Sequence, residues 1–283
     1  MPELRLRGGE VDGLSLHYLV EGRGPAVVLL HGLGGFAASW RHNIAPLAAR
    51  ATVYALDLPG FGRSGKPRTQ YGLAYFARAL HGFLEGLGVS QASLVGHSLG
   101  GAVAVTYALT HPTRVDRLAL LGSVVPGFTW RLSWRHRLVC TFGLGELVTL
   151  CGCAPMYRAA IAACFHAPDP EEVDFLVGHD YPVRTAAAAR AAWLGTTRAL
   201  REELVGRREA YRRAIATLDL PVMLVHGRQD RAVAPAHCAE AAEGFPRARV
   251  RWLDACGHFP HIEHPDVVNG WLEEFVVGRP APR

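Results

Sequence analysis

The sequence predicts an α/β fold: a mostly parallel central sheet with helices on both faces and an inserted helical cap. Two observations lead to this prediction. Short apolar, β-branched runs alternate with longer segments of helical period, which is typical of strand–helix–strand units. The alternation stops between about residues 124 and 217, where Ala, Arg and Glu dominate and no strand is evident. We therefore assign residues 1–123 and 217–283 to the core and residues 124–216 to the cap.

Seven segments of the core are predicted to be strands. The clearest is residues 26–30, a continuous apolar run of the kind found in strands that are covered on both faces. Residues 52–56 form a second such run and end at a turn that contains Pro59 and Gly60. The other predicted strands are residues 14–20, 92–95, 117–121, 221–225 and 249–253.

Helix-length segments lie between these strands, at residues 39–49, 71–87, 99–111, 235–244 and 265–276. In the cap, residues 185–193 and 198–213 have a helical composition, and prolines at positions 155, 168, 170 and 182 mark helix boundaries. The large apolar side chains of the cap are expected to form its own core or to face the sheet domain. They are Phe128, Trp130, Trp134, Phe142, Met156, Tyr157, Phe165, Phe175, Tyr181 and Trp193.

Composition excludes several classes of protein. With 283 residues, 49% of them hydrophobic and 19% charged, the chain can bury a large core and is not a disordered or fibrous protein. The net charge of +5 is spread thinly, so we expect no nucleic-acid partner. Residues 86–113 contain no charged side chain, but their glycines and polar residues favour a buried strand and helix over a membrane span.

The amino terminus and the cysteines bear on the compartment. No apolar run follows the first charged residues, so no signal peptide is predicted. Six cysteines, at positions 140, 151, 153, 164, 238 and 256, follow no common zinc or redox spacing. We expect reduced, buried thiols and a cytoplasmic location.

Residues 96–100, Gly-His-Ser-Leu-Gly, form a G-x-S-x-G motif between a predicted strand and a predicted helix. That is the setting of a nucleophile elbow, in which a sharp turn exposes a serine hydroxyl at a helix N-terminus. Small residues are needed on either side of the serine, because the turn is strained and larger side chains would clash where the strand and the helix pass close together. The motif therefore makes Ser98 the candidate nucleophile.

A second glycine-rich loop, His31-Gly-Leu-Gly-Gly, follows the strand at residues 26–30. With this loop and the serine motif, nearly the whole chain resembles the α/β-hydrolase family. The resemblance implies an oxyanion hole formed by the backbone N–H groups of Leu33 and Leu99. Residues 57–64 also look like the family, and there we expect Asp57 to play a structural role by bonding local backbone groups.

A base and an orienting acid are expected downstream of the serine, in the order Ser, Asp, His. Asp230 follows the predicted strand 221–225, and His258 follows the strand 249–253. Both would lie at the carboxyl edge of the sheet, as Ser98 does. The spacing of His258, His261 and His264 could suggest a metal site, but Pro260 interrupts it, so we expect no metal and no cofactor.

The predicted triad of Ser98, Asp230 and His258 implies a serine hydrolase that forms an acyl-enzyme. Serine at position 98 argues against the haloalkane dehalogenases and epoxide hydrolases, which attack through a carboxylate. A carboxylic ester of a small hydrophobic molecule is the expected substrate, while the substrate-binding residues stay unassigned. Several alternatives remain open: a carbon–carbon bond hydrolase of ring-cleavage products, a thioester or lactone hydrolase, an acyltransferase and a ligand receptor.

Two further features bear on these alternatives. The carbon–carbon hydrolases often carry Trp after the catalytic His, where this chain has Phe259. Residues 130–137 mix aromatic and cationic side chains, which fits a solvated cap helix better than a lipid or carrier contact. The sequence predicts neither the oligomeric state nor cap motion.

Overall fold

A computed structural model describes residues 2–129 and 138–278 and contains an eight-stranded sheet. The strands lie in the order β1-β2-β4-β3-β5-β6-β7-β8. The β1–β2 and β2–β4 pairs are antiparallel, and all the other neighbouring strands are parallel. The strands are β1 (Glu3–Arg5), β2 (Ser15–Glu21), β3 (Ala26–Leu30), β4 (Thr52–Leu56), β5 (Ala92–His97), β6 (Val115–Leu121), β7 (Val222–Gly227) and β8 (Ala248–Leu253).

All seven predicted strands are confirmed, with shifts of at most two residues at their ends. The sequence missed β1, because a three-residue strand with two charged side chains has no apolar run to reveal it. In β3, four consecutive residues are fully buried, as expected of a central strand. Val27 and Leu29 join the apolar cluster on one face of the sheet, whereas Val28 and Leu30 join the cluster on the other. The predicted α/β architecture with covered faces is therefore confirmed.

The helices of the core follow the predicted segments. They are α1 (Arg41–Ala48), α2 (Leu73–Gly86), α3 (Leu99–Thr110), α9 (Pro235–Gly244), α10 (Pro260–Glu263) and α11 (Pro265–Leu272). A single 3-10 turn, Ala37–Trp40, precedes α1, and a π turn, Glu273–Val277, follows α11. In α3, every residue from Leu99 to Ala108 is buried, which explains the absence of charge between residues 86 and 113. No helix among the described residues is long and apolar enough to cross a membrane.

A helical insertion between β6 and β7 confirms that the chain carries a cap, while its borders at residues 124 and 216 stay predictions. Its described helices are α4 (Leu144–Cys151), α5 (Ala154–Ala162), α6 (Pro170–Arg184), α7 (Ala187–Gly206) and α8 (Arg208–Ile215). The two segments of helical composition, residues 185–193 and 198–213, fall mostly in α7 and α8, and α7 runs through the residues between them. Leu194, Thr196 and Thr197 are buried and continue the inner face of α7, which ends at Gly206.

Two expectations for buried side chains are wrong in part. Cys140, Cys238 and Cys256 are buried as expected, but Cys164 is half-buried and Cys151 and Cys153 are exposed, and all six cysteines are free. In the cap, Phe142 and Met156 lie on the surface, 80% and 62% exposed, rather than in a cap core. The predictions for residues 130–137, including Trp130 and Trp134, fall outside the described residues.

Close packing of α3 against the sheet predicts a large effect of a small substitution. A Cβ atom on Gly100 would lie 2.1 Å from the carbonyl oxygen of Leu30, a backbone atom that cannot rotate away. We expect Gly100→Ala to lower the free energy of unfolding by at least about 3 kcal/mol, measured by urea denaturation.

The matched control for this prediction is Gly178→Ala in α6, where a Cβ would meet no heavy atom within 4 Å. There the higher helix propensity of alanine is expected to raise the stability by up to about 1 kcal/mol. Equal effects of the two substitutions would contradict the packing argument.

Candidate active site

Ser98 occupies a strained turn between β5 and α3. Its φ is 51° and its ψ is −115°, and Ala255 is the other non-glycine residue with positive φ in the described part of the chain. A Cβ on Gly96 would lie 2.5 Å from the backbone of Gly100, so the turn requires glycine at this position. Ser98 itself is half-buried, whereas its neighbours His97 and Leu99 are buried. The turn thus leaves the serine accessible at the N-terminus of a buried helix.

His258 and Asp230 are joined by a hydrogen bond from Nδ1 to Oδ2 of 2.8 Å. The second carboxylate oxygen, Oδ1, accepts hydrogen bonds from the N–H groups of Ala232 (2.8 Å) and Val233 (2.9 Å). His226 Nε2 lies 3.3 Å from Oδ2. Burial raises the pKa of Asp230, but the charge and hydrogen bond of His258, with help from His226 and Val233, hold it below its ordinary value. The carboxylate is therefore ionised at neutral pH and fixed in orientation.

Gly122, just after β6, lies against His258 and Asp230, two of the predicted triad residues, and the residue before it contacts the third. The N–H of Ser98 donates to the carbonyl of Leu121 at 3.1 Å. A Cβ on Gly122 would lie 2.8 Å from the carbonyl oxygen of His258 and 3.5 Å from Asp230 Oδ2. Ser98, Asp230 and His258 thus follow β5, β7 and β8 at the carboxyl edge of the sheet, the edge at which open α/β sheets build their sites.

A cluster of buried histidines surrounds His258. His97 Nε2 donates to the carbonyl oxygen of His258 at 2.8 Å, and the His97 ring packs 4.7 Å from that of His261. Burial, together with the neighbouring rings, holds the pKa of His97 well below its usual range, and burial lowers the pKa of His261 to about 3. Both rings are therefore neutral at pH 7.

The histidines that suggested a metal site have other partners. His261 packs 4.3 Å from the ring of Trp40, and His264 Nε2 donates to the carbonyl oxygen of Ala255 at 3.1 Å. Among residues 2–129 and 138–278, no group of three or more His, Cys, Asp or Glu side chains is arranged to hold a metal ion.

The loop after β3 packs against the serine. A Cβ on Gly32 would lie 3.1 Å from Ser98 Cβ, so glycine permits the loop to approach. His31 Nδ1 donates to the carbonyl of Gly32 at 2.7 Å, and its Nε2 accepts from the N–H of Leu58 at 2.9 Å. Leu99 is the first residue of α3, where an N–H has no acceptor within the helix. The oxyanion-hole roles of Leu33 and Leu99 stay predictions.

Asp57 bonds local backbone, as the sequence predicts. Its carboxylate accepts hydrogen bonds from the N–H groups of Ala37 and Arg63, the latter at 2.8 Å, and from His17 Nδ1 at 2.8 Å. Asp57 therefore ties β2, the loop before α1 and the turn after β4 together behind the glycine-rich loop.

The sequence did not reveal a polar surface of the cap beside the glycine-rich loop after β3. It is formed by Tyr157, Asp180, Arg184 and Trp193, and we call it the polar wall. Gly34, in the loop after β3, lies next to Asp180 and Trp193. A Cβ on Gly34 would lie 3.4 Å from Asp180 Oδ2 and 3.6 Å from Trp193 Nε1. The hydroxyl of Tyr157 donates to Asp180 Oδ2, and the Arg184 guanidinium stacks over the rings of Tyr157 (4.8 Å) and Trp193 (4.2 Å). Burial raises the pKa of Asp180 to about 6, against the opposing effects of Tyr157 and Arg184. The expected apolar cap thus presents charged and hydrogen-bonding groups next to the site.

An apolar patch completes the contact between cap and core. Phe165, Val173 and Leu176 of the cap pack against Phe36 and Ile262 of the core. Such contacts across sequence-distant segments carry no local pattern, which is why the sequence assigned no substrate-binding residue.

Comparisons with known proteins agree with this architecture. A family model described as alpha/beta hydrolase fold matches residues 25–141 and 172–265. The 2-hydroxymuconate semialdehyde hydrolase of Pseudomonas sp. strain CF600 is 30% identical over 277 residues, which span 89% of this chain and 87% of that protein. The stretch between the two matched ranges, residues 142–171, contains α4 and α5, so this part of the cap departs from the family model.

Two solved structures are similar over nearly their full length. The 2-hydroxy-6-oxo-6-phenylhexa-2,4-dienoate hydrolase of Rhodococcus sp. strain RHA1 is 28% identical, with a TM-score of 0.81 over 96% of this chain and 97% of that chain. An ancestral haloalkane dehalogenase is 26% identical, with a TM-score of 0.80 over 97% and 99% of the two chains. The same fold therefore occurs in proteins named for different reactions, so the chemistry has to be argued from the site.

Proposed function

This chain belongs to the α/β-hydrolase fold family, and from that premise we propose that it is a serine hydrolase whose triad is Ser98, His258 and Asp230. One observation carries the proposal: an accessible serine in a strained turn lies at the same sheet edge as a histidine that is hydrogen-bonded to a buried, ionised carboxylate. This is the combination of nucleophile, base and orienting acid that covalent hydrolysis requires.

In the proposed mechanism, Ser98 Oγ adds to a carbonyl carbon of the substrate while His258 Nε2 takes the hydroxyl proton. Asp230 holds the proton on Nδ1 and stabilises the imidazolium that forms. The negative oxygen of the tetrahedral intermediate accepts hydrogen bonds from the N–H groups of Leu33 and Leu99. When the intermediate collapses, His258 protonates the leaving group. Water then hydrolyses the acyl group on Ser98 by the same route.

For the scissile bond, we propose the C5–C6 carbon–carbon bond of an acidic ring-cleavage product, a 2-hydroxy-6-oxohexa-2,4-dienoate. The dienol first tautomerises, its hydroxyl proton moving to C5, so that C5 leaves as a dienolate, which His258 protonates. Two relatives with nearly full coverage are named for hydrolysis of such compounds. The polar wall supports the same choice, because the Arg184 guanidinium can attract a substrate carboxylate, and Asp180 and Tyr157 can bond hydroxyl or carbonyl groups.

Ester hydrolysis is the second candidate, and one residue favours it. Phe259 follows the catalytic histidine and packs 4.8 Å from Phe165 of the cap, so the side of the site beside His258 is apolar. The same acyl-enzyme would form, with an alcohol as leaving group. Dehalogenation is disfavoured despite the structural similarity, because position 98 carries a hydroxyl rather than the carboxylate that displaces a halide.

A substrate panel tests the proposal. The wild-type protein is assayed with 2-hydroxy-6-oxohexa-2,4-dienoates that carry methyl or phenyl at C6, through the loss of the conjugated dienol absorbance, and with p-nitrophenyl esters of four and eight carbons. We expect kcat/KM for a dienoate to exceed that for the esters by at least about 100-fold.

A fluorophosphonate label identifies the nucleophile in parallel, because it reacts with an activated serine and the modified peptide can be sequenced by mass spectrometry. The expected adduct is on Ser98. Turnover of esters alone would move the substrate assignment to the second candidate. A protein that is folded but not labelled at Ser98 would contradict the proposed triad and favour a ligand receptor on the same fold.

A further inference from the structure

We propose that Glu263 is a positioning residue that fixes the loop carrying His258 and ties this loop to the cap. The inference rests on the proposed function, since it assigns Glu263 a role through His258. Glu263 ends the short helix α10, is half-buried and stands outside the triad.

The Glu263 carboxylate holds the backbone on both sides of His258. The N–H of Gly257 donates to both carboxylate oxygens at 3.0 Å, and the N–H of Phe259 donates to Oε1 at 3.1 Å. Hydrogen bonds from backbone N–H groups to an ionised carboxylate are about twice as strong as those between neutral groups. One side chain thus fixes the two peptide units that flank the base.

The cap contributes the remaining contacts of this loop. The N–H of His166 donates to Glu263 Oε2 at 2.8 Å, and the N–H of His258 donates to the carbonyl of Cys164 at 2.8 Å. A Cβ on Gly257 would lie only 2.4 Å from the Cys164 carbonyl oxygen, so the two backbones are in direct contact. The cap segment 164–166 therefore lies against the histidine loop and shares Glu263 with it.

The backbone of the histidine loop is strained at Ala255. Ala255, three residues before His258, has a φ of 50°, a conformation that is strained for a non-glycine residue and persists only where surrounding contacts enforce it. Without Glu263, the strain at Ala255 would be free to relax and would carry His258 with it. A displacement of about 1 Å at a catalytic group can lower the rate about 100-fold.

Together these contacts couple the base to the position of the cap. When segment 164–166 is seated, Glu263 joins cap and loop, and His258 is aligned with Asp230. If that segment moved away, the loop would lose the Cys164 acceptor and Glu263 would lose the His166 donor. The base is thus fully positioned only when segment 164–166 lies against its loop.

The test compares Glu263→Gln with Glu172→Gln. Glu172 is the matched control because it also joins the cap to the core. It lies in α6 and bonds Arg41 and His42 of α1, so it does not contact the histidine loop.

We expect Glu263→Gln to lower kcat for the best substrate of the panel by about 30–100-fold with KM changed less than about 3-fold. The rate constant of fluorophosphonate labelling should fall by the same factor. Glu172→Gln should leave the labelling rate within about 3-fold of wild type.

Each outcome has one meaning. Wild-type protein that is not labelled at Ser98 refutes the proposed function itself. Wild type that is labelled, with Glu263→Gln labelled equally fast, refutes only the role of Glu263. Equal losses in both variants would assign the effect to cap docking alone and would also overturn the inference. If the Gln variant does not fold, Glu263→Asp keeps the charge but shortens the reach, and about a 10-fold loss of kcat is expected.

Discussion

Replacement of Ser98 by alanine is expected to lower kcat about 10⁶-fold, because the proposed mechanism has no other group to form the acyl-enzyme. Alanine has nearly the volume of serine, and its Cβ already occupies this strained turn, so the fold should persist. What remains is the rate supplied by binding and by the oxyanion hole, about 10³–10⁴-fold over water. Single-turnover kinetics at high enzyme concentration measure such a slow residual rate.

Ser93→Ala provides a control on the same strand. The Ser93 side chain, unlike that of Ser98, is buried, and its hydroxyl donates to the carbonyl of Val276 at 3.3 Å, away from the site. We expect kcat of this variant to stay within about 3-fold of wild type. More than about 1% of wild-type activity in a purified Ser98→Ala protein would exclude Ser98 as the nucleophile.

Asp230→Asn is expected to lower kcat about 10⁴-fold at neutral pH. The Oδ1 atom of Asp230 is already held by two backbone N–H groups, so the amide nitrogen of asparagine would occupy the Oδ2 position and donate to His258 Nδ1. His258 would then carry its proton on Nε2 and could not accept one from Ser98. Stopped-flow or steady-state assays between pH 6 and pH 9 would measure the loss.

The surface residue Asp254 offers the control for charge removal. It lies in the loop just after β8 and forms an exposed ion pair with Arg228, with its own side chain 87% exposed. Asp254→Asn should change kcat by less than about 2-fold, because exposed ion pairs contribute little. A similar loss of activity in both variants would argue against a specific role for Asp230.

The sequence predicted the architecture well because the relevant patterns are local. Apolar runs revealed the parallel strands, and the motifs after β3 and β5 stand where strand, turn and helix meet. The pairing of Asp230 with His258 could be anticipated because both follow parallel strands, whose carboxyl ends must lie at one edge of the sheet. These features depend on chain order and periodicity alone.

The missed features depend on contacts between distant segments. Glu263 and the segment 164–166 are about 100 residues apart, and neither has a motif. An acidic residue five positions after the predicted base, at the end of one helical turn, is the only local sign of Glu263. The polar wall of Asp180 and Arg184 was hidden for a similar reason, since both residues fit an ordinary solvated helix until the cap folds over Gly34.

The expected ester substrate stays a prediction, because the composition of the cap does not tell which of its side chains lie near the site. Part of the apolar surface, including Phe142 and Leu150, faces outward, while Asp180 is buried beside Gly34. A count of residue types cannot separate these two faces, whereas the helix positions can.

Because the backbone of Ser98 is left-handed, stability and catalysis favour different residues at this position. Glycine adopts a φ of 51° and a ψ of −115° without a Cβ clash, so the residue that relaxes this turn best is also one that has no nucleophile. With Ser98 as the proposed nucleophile, selection for heat resistance alone would therefore favour an inactive protein. Directed evolution of this fold would then have to screen for turnover at every round.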